Sequence, residues 1–267
     1  MLAEQRFAAI LDILSRNQAV TVSELCRAVG ASESTIRRDL AVLDKQGRLN
    51  KVHGGATAAE GEFLRVERDM TTKAGMNVEE KDRIARYAAQ QISDDDFVFI
   101  DAGTTTQRMA DYLAASRATF VTNGIGVARR MVEKGLKAYV LGGLLKPGTE
   151  AIVGAAALRE ISGYNFTKAF LGTNGISLRQ GYTTPDNEEA VIKAKAADQA
   201  YMTYVLADHS KFGIVTAVTV CPLEKACIIT DREPETAYGQ QTHIKAVEKT
   251  EERDNNESHH NERGGSQ

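Results

Sequence analysis

Between residues 4 and 43 the apolar positions recur at intervals of three and four, the spacing that lines one face of a helix. Phe7, Ile10, Leu11 and Leu14 share one such face between Glu4 and Arg16. Leu25 and Val29 share a second, and Ile36, Leu40 and Leu43 a third. The spacing predicts three short helices packed on one another. Ser23 is the expected N-cap of the second, because a serine oxygen satisfies an orphan N–H of the first turn. Gly30 is its expected end, since glycine enters the left-handed conformation at no steric cost. Ser32 is the expected cap of the third helix.

From Val78 the period changes. Short apolar runs at 97–100, 120–121, 138–141, 169–171 and 204–206 alternate with helical stretches such as 81–92 and 107–114. Unbroken apolar runs are strands covered on both faces, and their alternation with helices predicts an α/β domain with a largely parallel sheet. In 81–92 the inward residues are expected to be Ile84, Tyr87, Ala88 and Ile92. Residues 57–77 hold no sustained period and read as a linker in which Phe63, Leu64 and Val66 can dock on a domain. Residues 242–247 suit a final strand, whereas 248–267 are too polar to bury the surface that ordering requires. The expected division is therefore a small domain over 1–56, a linker over 57–77, a larger domain over 78–247 and a disordered tail over 248–267.

Composition narrows the setting. A chain of 267 residues, 42% hydrophobic, can fill two cores. Cys26, Cys221 and Cys227 are too few and too scattered for a disulfide framework, which suits a reducing compartment. No apolar run reaches the ~18 residues of a membrane span, and residues 1–6 lead into an amphipathic pattern rather than a signal peptide. A cytoplasmic protein with no membrane partner is expected. The formal charge of −3 excludes a chain that coats nucleic acid over its whole surface, so any DNA contact must come from a local basic patch.

Such a patch lies on the third helix. Opposite its apolar stripe, after Ser32, stand Ser34, Thr35, Arg37 and Arg38, followed by Arg48, Lys51 and His53 leading into Gly54-Gly55 of a basic hairpin. Hydroxyls and guanidinium groups in this setting reach phosphates and the guanine edge of a major groove. A basic helix face alone is usually only solvated. The capped helix, glycine turn, second capped helix and basic hairpin together point to operator DNA as the partner.

In the larger domain, one strand ends in Asp101-Ala102-Gly103-Thr104-Thr105-Thr106 at the start of a helix, where backbone N–H groups and the helix dipole favour an anion. Other strand ends repeat the theme in Thr122-Asn123, Gly142-Gly143, Asn174 and Asp208, with Lys211 as the cation best placed for a phosphate. Threonines there also suit a plain cap, and asparagine or aspartate beside glycine suits a turn. Recurrence at successive strand ends favours convergence on one small molecule. Of Glu188, Glu189, Lys193 and Lys195, most are expected to face solvent, with Lys193 the exception near the pocket. No cofactor or metal is expected, since His259-His260 stand alone in a polar tail.

The segment SESTIRRDLAVLDKQGRLNKVHGGA resembles the winged helix-turn-helix of the DeoR family of bacterial repressors. VFIDAGTTT, FVTNGI, YVLGGLLKPGTEAIVG, FLGTNGI, GYTTPDNEEAVIKAKA and YVLADHSKFG are similar to that family's effector domain, whose fold is similar to ribose-5-phosphate isomerase. The resemblance covers nearly all of residues 1–245, and TEAIVG, LGTNGI and YTTPDNEEA look closest to the fructose-operon repressors. It implies a sugar-phosphate inducer held by the DAGTTT loop, the TNG turn and the lysine of ADHSKFG; the subfamily implies fructose 1-phosphate. His209 departs from the small residue or proline that relatives often carry there. Helix-turn-helix proteins usually bind DNA as pairs, so a homo-oligomer, dimer or tetramer, is expected. Two other readings stay open. The α/β domain can be a working isomerase, a carboxylate near a lysine moving the proton, although Asn174 stands where an acidic base is needed. Alternatively the chain is an architectural DNA-binding protein whose α/β part serves only assembly.

Overall fold

The head begins with three helices whose apolar stripes meet: α1 (Ala3–Asn17), α2 (Val22–Val29) and α3 (Glu33–Lys45), with a short strand β1 (Ala19–Thr21) between the first two. Ile10, Leu14, Leu25, Ile36, Leu40 and Leu43 are all buried in one cluster. The computed structural model describes residues 2–17, 19–46, 48–58, 62–63, 70–113 and 117–247. The N-cap of α2 is Thr21 rather than Ser23. Thr21 Oγ1 accepts from Glu24 N at 3.2 Å while the Glu24 carboxylate accepts from Thr21 N at 2.8 Å. This reciprocal capping box satisfies two backbone donors, which Ser23, without a glutamate three residues on, cannot match. Gly30 ends α2 at φ +69°, and Ser32 caps α3 by accepting from Thr35 N at 3.3 Å. Strands β2 (Leu49–Val52) and β3 (Gly55–Ala58) form a wing that pairs antiparallel with β1 in the order β1-β3-β2. Gly55 is needed there, because a Cβ would sit 2.2 Å from the Val20 carbonyl oxygen. Arg6 grips Asp39 with two hydrogen bonds of 2.7 and 3.1 Å, tying α1 to the inner side of α3.

The second domain follows the short helix α4 (Met70–Ala74) and opens with α5 (Val78–Ala89). It then alternates β4 (Phe97–Ile100), α6 (Thr104–Tyr112), β5 (Thr119–Thr122), α7 (Ile125–Glu133) and β6 (Ala138–Val140). After an excursion it continues through β7 (Phe166–Gly172), α8 (Asn187–Asp198), β8 (Ala200–Leu206), β9 (Cys227–Thr230) and β10 (Ile244–Ala246). Among the described residues these seven strands form one sheet in the order β6-β5-β4-β7-β8-β9-β10, every neighbouring pair parallel. Helices cover both faces: Ile84, Met109, Val127 and Met131 pack on one, Ala190, Ile192 and Ala196 on the other. That is why Val98, Phe99, Ile100, Phe120 and Val121 are apolar without alternation. The chain runs outward from β4 to β6, then resumes on the other side of β4 at β7. The turns after β4 and β7 therefore diverge and leave a crevice, the switch point at which such sheets bind ligands. No helix among the described residues is long and apolar enough to cross a membrane.

The described residues of 57–77 carry regular structure. Thr57 and Ala58 belong to β3, and Glu62–Phe63 pairs in parallel with Ile214–Val215. Met70 N donates to the Gly148 carbonyl at 3.1 Å, and Asn77 starts α5 in the left-handed conformation, φ +49°. Leu64, Val66 and Ala114, together with the tail 248–267 and its His259-His260, lie outside the described residues.

Candidate functional site

The crevice between β4 and β7 is a narrow cleft lined by the turns after both strands, by the start of α6 and by the loop after β8. Asp101, 1% exposed, lies beneath it. Its Oδ2 accepts from Gly172 N at 2.9 Å and from the ammonium of Lys193, a residue 4% exposed that lines the cleft. Burial pushes the Asp101 carboxyl above its usual pKa, with the Lys193 charge opposing. Its Oδ1 has no hydrogen-bond partner among the described residues. Gly103 precedes α6 with no side chain capping the helix, so the first turn, Thr104 and Thr105, presents its N–H groups at the cleft wall.

The loop after β8 supplies Asp208 and Lys211. Asp208 accepts from Asn77 Nδ2 at 2.8 Å, from Ser210 N at 3.0 Å and from the Ser210 hydroxyl. Burial opposes its ionisation, but Lys211 and these donors outweigh it and hold the pKa below the usual carboxylate range. Asn174, after β7, lines the cleft and accepts from Thr184 Oγ1 at 3.1 Å.

Three charged residues, Lys81, Lys73 and Glu189, line the cleft without a local sequence signal that marks them. Lys81 of α5 is 4% exposed, donates to the Lys73 carbonyl oxygen and makes no ion pair among the described residues. Burial pushes its ammonium down to about 8; Asp208 opposes this, and Lys211, Arg108 and Lys73 reinforce it. Lys73 itself lines the cleft from α4. Glu189, expected at the surface, is 5% exposed and accepts from Lys146 at 3.0 Å and Thr149 at 2.8 Å. Its burial is outweighed by Lys193, Lys146 and Thr149, which lower its pKa. The sign alternation along α8 hid this, because a glutamate in a helical first turn normally points to water. Lys81 was hidden likewise, one charge among several on an amphipathic helix.

Other expected contacts do not line the cleft. Thr106 is fully buried and donates to the Gly103 carbonyl at 3.0 Å. Thr122 donates to the Ile100 carbonyl and accepts from Gly124 N at 3.0 Å. Asn123 Oδ1 accepts from Ala102 N at 2.9 Å, bracing the loop that carries Gly103. Gly142 N donates to Glu160, and a Cβ at Gly143 would sit 2.5 Å from the Val153 carbonyl oxygen. The cause is topological: β5 and β6 stand one and two strands away from the switch point, so their turns support the site from behind. Among the described residues no group of three or more His, Cys, Asp or Glu is placed to hold a metal.

On the head, Ser32, Ser34, Arg37, Arg38, Arg48, Lys51 and His53 are exposed, and Thr35 is half-buried. Ser32 Oγ lies 3.0 Å from Ser34 Oγ and 2.9 Å from Thr35 Oγ1. Among the described residues Arg37 meets only Glu33, at 3.5 Å with both exposed, a contact too weak to hold it from a phosphate or base. Lys51 N donates to Asp44 at 2.8 Å, which fixes the wing to α3.

A winged helix-turn-helix joined to a parallel α/β domain with a polar, lysine-lined cleft defines a DNA-binding regulator that carries its own sensor. Residues 6–62 match the DeoR-like helix-turn-helix domain and residues 76–232 the DeoR C terminal sensor domain. The chain belongs to the DeoR family. It is 41% identical over 251 residues to the uncharacterized HTH-type transcriptional regulator FruR of Bacillus subtilis, covering 92% of this chain and 99% of that protein. It is 35% identical to the HTH-type transcriptional repressor GlcR of the same organism, covering 89% and 92%. Among solved structures, ribose 5-phosphate isomerase A of Methanocaldococcus jannaschii aligns at a TM-score of 0.39 and 13% identity, over 51% of this chain and 55% of that one.

Proposed function

We propose that this chain is a cytoplasmic repressor of a sugar-utilisation operon, binding operator DNA as a homo-oligomer and changing its grip when a sugar phosphate, fructose 1-phosphate first among those to test, enters the sensor cleft. One observation carries the reading: an uncapped helix start at Thr104-Thr105 faces a cleft that also holds Lys81, Lys193 and Lys211. Backbone N–H groups and ammonium groups together suit a phosphate dianion. Asn174 and Asp208 line the cleft as acceptors that sugar hydroxyls can satisfy. The names of FruR and GlcR support regulation linked to sugars. A ligand that prefers one head arrangement must shift DNA affinity by the same coupling energy, typically ~1–3 kcal/mol.

The test is a thermal-shift screen of the full chain against fructose 1-phosphate, fructose 6-phosphate, fructose 1,6-bisphosphate and glycerol 3-phosphate, repeated as a gel shift on DNA upstream of its own gene. One ligand is expected to raise Tm and change DNA affinity by about 5–150-fold. Absence of any shift across the panel removes the sugar-phosphate reading.

A further inference from the structure

The segment joining the head to the sensor is attached at two stations, the second of which lines the cleft. At the first, Glu62–Phe63 pairs with Ile214–Val215, the strand that follows the Lys211 loop. At the second, α4 lies against the cleft through Met70 and Lys73, and Asn77 donates to Asp208. A five-residue helix cannot hold itself together, so α4 depends on its packing against α6 and on its end contacts. Met70 N is satisfied by the Gly148 carbonyl, the Lys73 carbonyl accepts from the Lys81 ammonium and more weakly from Met76 N at 3.3 Å, and the exit at Asn77 is pinned in a left-handed turn.

We propose that residues 70–77 are the reporting wall of the sensor cleft: an anionic ligand draws the Lys81 ammonium from the Lys73 carbonyl and so loosens the segment that leads to the DNA-binding head. The inference rests on the sugar-phosphate reading and adds Lys81 and the α4 wall to it. Lys81 is a cleft cation whose hydrogen bond goes to a neutral carbonyl, and a phosphate oxygen is the stronger acceptor for an ammonium. Lys193 is committed to Asp101, so recruiting it costs a buried pair. Taking Lys81 costs only the end contact of a short helix. The same ligand meets Lys211, whose loop holds both Asn77 and the strand beside Phe63. Both attachments of the head-bearing segment therefore feel one binding event.

Hydrogen exchange on the full chain tests this, with fructose 1-phosphate and inorganic phosphate as separate probes. Either probe at saturation is expected to protect amides 103–106 and to raise exchange at 70–77 by about tenfold, the size of a typical intersite coupling. In Lys81→Met, checked for folding by circular dichroism and its unfolding midpoint, protection at 103–106 persists at saturation while the change at 70–77 disappears. Lys81→Arg restores it. Protection at 103–106 with unchanged exchange at 70–77 in the unaltered protein overturns the reporting wall and leaves the sugar-phosphate reading standing. If neither probe protects 103–106, both fall.

Discussion

Lys193 and Asp101, 92 positions apart in the chain, form an ion pair with 4% and 1% of their side chains exposed. The pair joins α8 to the end of β4 across the switch point, beneath the cleft that Lys193 lines. Removing one partner strands the other as a buried charge, which typically costs about 3–5 kcal/mol. Lys193→Met is therefore expected to lower unfolding stability by that amount in urea titrations. The double variant Asp101→Asn with Lys193→Met should recover much of the loss. A fully stable single variant would contradict the pairing.

How far the sequence reached follows from the same geometry. The head was legible because helix caps and an apolar stripe are local, and Ile36, Leu40 and Leu43 announce α3 without help from distant residues. Thr21 was missed because two hydroxyl residues compete at the start of α2 and only the Glu24 reciprocity decides between them. In the sensor, strand ends were readable from glycine and hydroxyl turns, but strand order was not. Asn123 and Gly143 carry the same turn chemistry as Asn174, yet β5 and β6 lie away from the switch point, so position in the sheet decided which turns meet the cleft. Lys81 and Glu189 needed the fold itself, since nothing local separates a buried charge from its solvated neighbours.

The capping assignment can be checked directly. Thr21→Ala removes the acceptor for Glu24 N and is expected to destabilise the chain by about 1 kcal/mol in chemical denaturation followed by helix signal. Ser23→Ala, at an exposed position inside α2, should fall within about 0.5 kcal/mol of the unaltered chain. Reversed magnitudes would return the cap to Ser23.

The two domains should separate in their defects. Arg37, exposed on α3, is expected to contact phosphate or a guanine edge, so Arg37→Ala should cost about 1–3 kcal/mol of operator affinity in gel shifts. The sugar-phosphate thermal shift should survive it. Lys211→Ala should do the opposite, abolishing the thermal shift and the ligand response while operator DNA is still bound. Retained induction in Lys211→Ala would refute its place at the ligand.

The pH dependence of binding isolates Lys81. Its ammonium faces Asp208 and Lys211 on the loop after β8, Arg108 on α6 and Lys73 on α4. Burial holds its pKa at about 8, below the ~10.4 of an exposed lysine. The unfolded chain therefore binds this proton more tightly, and between about pH 8 and pH 10.5 Lys81 makes stability rise with pH. Ligand binding has the opposite sign, because a phosphate favours the ammonium form: affinity should fall as pH rises above about 8, with proton uptake on binding. On the acid side the ligand phosphate loses charge below about pH 6. Calorimetric titration with fructose 1-phosphate should thus give an affinity maximum between about pH 6 and 8. Lys81→Arg, always protonated, should remove the alkaline limb. An alkaline limb unchanged in Lys81→Arg would assign it to another group and take Lys81 out of the phosphate's reach.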